Sequence, residues 1–128
     1  MSPQVAVEGL SHIGIRVHDL ARSRAFYEKL GFDFAWGPGG PEPVAAMRHP
    51  SGLELNFILN AASAKSPNIL MDVPEKHAGI THVALKISDL NAVEAALNDF
   101  GIAITGRRGS AALFVRDPDG NVIELARD

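Results

Sequence analysis

SHIGIRVHDLARSRAFYEKLG (residues 11–31) and THVALKISDLNAVEAALNDFG (residues 81–101) lie over one another without a gap at an offset of 70. His12 meets His82, Asp19 meets Asp89, Leu20 meets Leu90, Ala25 meets Ala95 and Gly31 meets Gly101. Ser11/Thr81, Ile13/Val83, Gly14/Ala84, Ile15/Leu85, Arg16/Lys86 and Val17/Ile87 are conservative pairs. The likeness resumes at a turn, where MRHPSG (47–52) lies over VRDPDG (115–120) at an offset of 68, so the first half carries two more residues before its turn. A repeat of this kind means one supersecondary unit built twice.

Each copy reads as β-α-β-β-β. Ile13, Ile15 and Val17 alternate with His12, Gly14 and Arg16, and Val83, Leu85 and Ile87 repeat the pattern, the period of a half-buried strand. Asp19 and Asp89 stand where a short carboxylate can accept the free N–H groups of a helix's first turn. Helices are predicted over about 20–30 and 90–100, with Leu20, Phe26, Tyr27 and Leu30, and Leu90, Val93, Leu97 and Phe100, as buried stripes, and Gly31 and Gly101 as left-handed caps. Strands are expected near 32–36 and 102–105, followed by hairpins at 44–59 and 111–126 whose turns carry Pro-x-Gly. The expected organisation is module one at about 9–60, a small-residue and proline-rich connector at 61–79 with one short strand at 69–73, and module two at about 80–127.

With 128 residues, 46% of them hydrophobic, the chain suits one compact domain or two small modules. Its net charge of −3, with Lys and Arg scattered, shows no footprint for nucleic acid or anionic lipid. No apolar run approaches the ~18 residues of a membrane span and no signal-peptide pattern opens the chain, so a soluble cytoplasmic protein is expected. There are no cysteines, which leaves His, carboxylate, amide and water as the available metal donors.

In each module the sheet face away from the helix is expected to be polar. It would carry His12, Arg16, Glu54, Asn56, Ile58 and Asn60 in the first, and His82, Lys86, Val122, Glu124 and Ala126 in the second. Two such sheets facing each other would gather two histidines and at least one carboxylate, donors suited to Zn, Ni, Mn, Fe or Co. A lone strand histidine is usually structural; recurrence at one place in a duplicated unit favours a site.

His-x-x-x-(Arg/Lys)-x-x-Asp-Leu near each module start and FVRDPDGNVIEL (114–125) resemble the vicinal oxygen chelate superfamily, which contains glyoxalase I, fosfomycin-resistance thiol transferases, extradiol dioxygenases, methylmalonyl-CoA epimerase and the bleomycin-resistance proteins. The resemblance spans about 9–60 and 80–127. It implies an α+β fold of paired βαβββ modules forming an open, cup-like mixed sheet with helices outside, around one divalent ion per site (Zn, Ni, Mn, Co or Fe) that a substrate chelates through adjacent oxygens. Glyoxalase-type members take a His and a Glu from each module, which implies His12, His82, Glu124 and a carboxylate near 54 as ligands. The step from histidine to glutamate is 42 residues in both modules if that carboxylate is Glu54, yet Glu124 lies four residues after Gly120 and the same step from Gly52 reaches Asn56. With Asn56 there, two histidines and one glutamate remain, closer to the thiol transferases and dioxygenases.

Arg16 matches a position that contacts the glutathione carboxylate in glyoxalase I; with Lys86, Asn56 and Asn60 it is a substrate-binding candidate. His18, His49 and His77 have no matching histidine and are expected in exposed loops, Asp117 and Asp119 as turn formers, and Trp36, Phe57 and Phe114 in the core. The leading expectation is a metal-dependent lyase or isomerase of glyoxalase type acting on a small oxygenated compound through an enediolate, with Glu124 moving the proton. The alternatives are a metal-dependent thiol transferase or extradiol-type dioxygenase, and a non-catalytic, antibiotic-sequestering binding protein. A homodimer with a small-molecule substrate is expected in each case.

Overall fold

The computed structural model describes residues 3–62 and 66–128; residues 63–65 of the connector lie outside these. The chain divides into two compact units, one ending at Ala61 and the other starting at Ala62. The first contains β1 (Ile13–Arg16), α1 (Leu20–Lys29), β2 (Asp33–Gly39), β3 (Val44–Arg48) and β4 (Glu54–Ile58). The second contains β5 (Val83–Lys86), α2 (Leu90–Phe100), β6 (Gly106–Arg108), β7 (Ala112–Arg116) and β8 (Val122–Ala126). Each unit folds one four-stranded sheet, ordered β1-β4-β3-β2 and β5-β8-β7-β6, so the β-α-β-β-β reading holds twice. In both, the first strand pairs in parallel with the last and the remaining pairs are antiparallel.

The helix boundaries are set by their caps. Asp19 Oδ1 accepts the Arg22 N–H at 3.2 Å, and Asp89 Oδ1 accepts that of Ala92 at 3.0 Å. Gly31 has φ +92° just past Leu30, and Gly101 is itself the left-handed cap at φ +73°. In both places the next N–H turns back to the helix, Phe32 to Tyr27 O and Ile102 to Leu97 O. Asp19→Ala is expected to lower the stability of the first unit by about 1 kcal/mol in urea titration; an unchanged midpoint would show that the cap contributes nothing.

Packing differs between the copies. Phe26, Tyr27, Phe32 and Phe57 build an aromatic core under α1, whereas Leu97, Leu125 and Ile123 are the buried apolar groups at corresponding depth in the second unit. Phe57 is core, as expected, but Trp36 is 42% exposed, and Phe114 is half-buried on the polar face. Phe100 is also largely exposed, because α2 is buried through Leu97, nearly a turn earlier.

Three expectations about strands need correction. β2 runs on to Gly39, with register shifts after Phe34 and after Trp36; as an edge strand it tolerates Pro38, which has no N–H to donate. Residues 102–105 are not a strand: they climb back from the α2 cap and first meet the sheet where Thr105 N–H donates to Phe114 O, so β6 begins at Gly106. Residues 69–73 form a turn, since Asn68 Oδ1 accepts the Leu70 N–H and both Asp72 and Val73 N–H groups return to Ile69 O. This part of the connector belongs to the second unit. Asn68 N–H donates to Asp119 O, its side chain to Asn121, and Arg116 donates to both Asp72 oxygens, holding the Asp72 carboxyl below its ordinary range.

Candidate functional site

The register of the sheets puts the polar residues in matching rows. His12 and His82 each stand immediately before the first strand of their unit. Gly14 lies opposite Asn56, and Ala84 lies opposite Glu124. Asn56 therefore occupies in the first unit the place that Glu124 occupies in the second. Glu54 falls one row away, opposite Arg48, at the place of Val122.

Both histidines are held the same way. The Ser11 hydroxyl lies 2.9 Å from His12 Nδ1, and the Thr81 hydroxyl lies 2.8 Å from His82 Nδ1. A partner on one ring nitrogen fixes the ring and leaves the other nitrogen for the site. In the second unit His82 Nε2 is 3.1 Å from Glu124 Oε1, and the ring meets Phe114 edge-on at 6.2 Å between centroids. In the first, the amide orientation that satisfies both neighbours of Asn56 puts its oxygen 3.2 Å from His12 Nε2 and its nitrogen 2.9 Å from Glu54 Oε2. Arg48 Nε donates to the other Glu54 oxygen at 2.9 Å.

The Glu124 side chain is only 7% exposed, and its second oxygen is taken by an arginine that the sequence pattern does not single out. Arg108 Nε donates to Glu124 Oε2 at 2.9 Å, Nη2 lies 2.8 Å from the same oxygen as an ion pair, and Nη2 donates to both Asp128 oxygens at 2.9 and 3.0 Å. It reaches Glu124 from the next row of the sheet, over the small side chains of Ala112 and Ala126. Asp128 and then Glu124 hold the guanidinium pKa above its ordinary value, while Arg108 holds Asp128 below its own.

Arg16 Nε donates to Asn60 Oδ1 at 3.0 Å and Asn60 donates to Glu42, so two of the predicted substrate-binding residues are joined to each other. Lys86 is exposed, opposite Ala126. His77 is exposed, as expected, and His18 is half-buried. His49 is not a free loop residue: it stands half-buried at the place of Asp117 and works as that aspartate does. Its Nδ1 accepts the Ser51 N–H at 3.0 Å, as Asp117 Oδ1 accepts that of Asp119 at 2.9 Å, and its ring packs on Phe32. Asp117 and Asp119 are turn formers, as expected.

The donor set fits a divalent ion in part. Two ligand atoms each about 2.1 Å from one ion at a right angle are about 3 Å apart, which is the His82–Glu124 separation of 3.1 Å. Imidazole and carboxylate are suitable donors. Among the described residues, no three His, Asp or Glu side chains are gathered to hold an ion. No helix among the described residues is long and apolar enough to cross a membrane.

Known proteins match over nearly the whole chain. The glyoxalase family protein of Enterococcus faecalis superposes with a TM-score of 0.76 at 27% identity, covering 93% of this chain and 97% of that one. An antibiotic-binding protein, TnmS3, from a Streptomyces species superposes with a TM-score of 0.70 at 22% identity over 96% of this chain and 98% of that one. The fosfomycin resistance protein FosX of Mesorhizobium loti gives 0.71 at 17% identity, over 96% and 94%. No curated protein matches the sequence significantly. The model of the Glyoxalase/Bleomycin resistance protein/Dioxygenase superfamily matches residues 9–125, and the chain belongs to that superfamily.

Proposed function

We propose that the chain is a divalent-metal-dependent enzyme, with His82 and Glu124 as metal donors in the second unit and His12 as the matching donor in the first. The substrate is a small molecule that binds the ion through neighbouring oxygens. The reaction is addition or transfer onto that substrate, of the kind that likeness to fosfomycin-resistance proteins suggests, more than a glyoxalase-type isomerisation. The observation that carries this reading is Asn56 standing opposite Gly14 as Glu124 stands opposite Ala84.

Asn56 offers a neutral, weaker donor where Glu124 offers a carboxylate, so an ion held there would keep more of its positive charge. When bound, such an ion supplies Lewis acidity and open positions for substrate oxygens. The chain's own groups argue against proton shuttling. Moving a proton between adjacent carbons needs a carboxylate free to take it, yet Glu124 has one oxygen toward His82 and the other on Arg108. Ser11 and Thr81 orient the two imidazoles, and Phe114 packs edge-on against the ring of His82.

Glu54 is the discriminating residue. Its oxygens are engaged by Arg48 and Asn56, so Glu54→Gln is expected to leave divalent affinity within about threefold of the wild type, while the purified wild-type chain carries a near-stoichiometric ion. Loss of the ion in this variant would restore the four-ligand, glyoxalase-type arrangement. A wild-type chain that carries no divalent ion and takes up none would sink the metal reading and leave a binding protein.

A further inference from the structure

Arg108 has no counterpart of its kind in the first unit. Its place, opposite Ala112 beside the turn that joins β6 to β7, is held in the first unit by Gly39 opposite Val44. The two acids it grips differ in the same direction. Glu124 corresponds to Asn56. Asp128 corresponds to Asn60, because Leu59 N–H donates to Pro43 O as Arg127 N–H donates to Ala111 O, keeping the 68-residue offset to the chain end. The unit without the arginine has two amides, and the unit with it has two acids.

Resting on the metal reading above, we propose that Arg108 is a built-in competitor of the divalent ion for Glu124, and so sets how tightly the site holds its ion. Glu124 is nearly buried, its Oε1 lies 3.1 Å from His82 Nε2, and its Oε2 accepts from Arg108 Nε with Nη2 of the same guanidinium 2.8 Å away. A carboxylate so engaged has given part of its charge to another cation. The guanidinium on the far oxygen of the same carboxylate also repels an incoming cation, an effect that the half-exposed position of Arg108 screens in part. Asp128 moderates the effect by sharing the guanidinium, and its exposure leaves that share open to solvent. Arg108 is therefore a positioning residue whose removal tightens metal binding. Loss of a merely structural neighbour of a ligand does the opposite and weakens binding ~10- to 100-fold.

The test is titration of the purified full chain with Co2+ against a chromophoric chelator, for the wild type, R108Q and R108K. R108Q is expected to bind at least ~10-fold more tightly, and R108K, which keeps the charge, to stay within about threefold of the wild type. Binding by the wild type with R108Q unchanged or weaker overturns the role of Arg108 and leaves the metal reading standing. Binding by R108Q alone supports the role of Arg108 as a competitor and overturns the reading of the wild-type chain as a metal enzyme. If neither chain binds Co2+ while both melt cooperatively, the metal reading itself fails and this inference falls with it.

Discussion

His82→Ala is expected to abolish stoichiometric retention of a divalent ion and to weaken its affinity at least ~100-fold, with the fold intact. The imidazole is more than a third exposed, its Nε2 lies 3.1 Å from Glu124 Oε1, and its Nδ1 is held by Thr81, so removing it deletes one donor and leaves no cavity in the core. Glu124 then keeps Arg108 as its remaining charged partner. Metal analysis after purification measures the effect, and a urea titration alongside checks that the second unit still unfolds at the wild-type midpoint. Thr81→Val is the graded companion: it leaves the ring but frees its rotation, and affinity is expected to fall by about tenfold. If His82→Ala retains the ion at wild-type affinity, the paired histidines are structural features of the repeat and not ligands.

The repeat itself is legible because its strongest signals are local. A strand alternation, an Asp cap and a terminal Gly need no knowledge of tertiary partners, and both units build the elements these predict. Ser11 and Thr81 are visible as a conservative pair, and only their 2.9 and 2.8 Å approach to the imidazoles shows why a hydroxyl recurs there. Glu54 and Asn56 compete because residues two apart on a strand share a face; the pairing of β1 with β4, which periodicity cannot supply, puts Asn56 in the row of Glu124. Arg108 is hidden for a related reason. Its strand starts later than the apolar residues 102–105 suggest, and its counterpart Gly39 ends a strand with two register shifts, so no constant offset aligns them. The apolar run Ile69–Leu70–Met71 suggests a strand in the connector, but the side chain of Asn68 turns the backbone before any partner strand could pair with it.

Tyr27→Ala carries the largest expected cost to stability, about 3–5 kcal/mol, comparable to a large share of the ~5–15 kcal/mol that holds a typical domain. Tyr27 is 2% exposed, and its ring touches three others: Phe26 edge-on at 5.0 Å, Phe32 edge-on at 5.8 Å and Phe57 tilted at 5.5 Å between centroids. Deleting it removes the shared neighbour of the whole cluster, and α1 cannot collapse into the gap because Phe32 comes directly after the Gly31 turn. The matching residue in the second unit is Leu97, where an aliphatic side chain suffices because Leu125 stands where Phe57 does. Tyr27→Leu is therefore expected to fall between wild type and alanine, since the surrounding rings are shaped for a larger group. The consequence reaches the other face of the sheet: Phe57, which packs on Tyr27, is the neighbour of Asn56 on β4, and β4 pairs with the strand just after His12. Urea unfolding read by the intrinsic fluorescence of Trp36, on β2 of the same unit, measures the loss. A shift below about 1 kcal/mol would mean that the aromatic cluster is not what holds the first unit together.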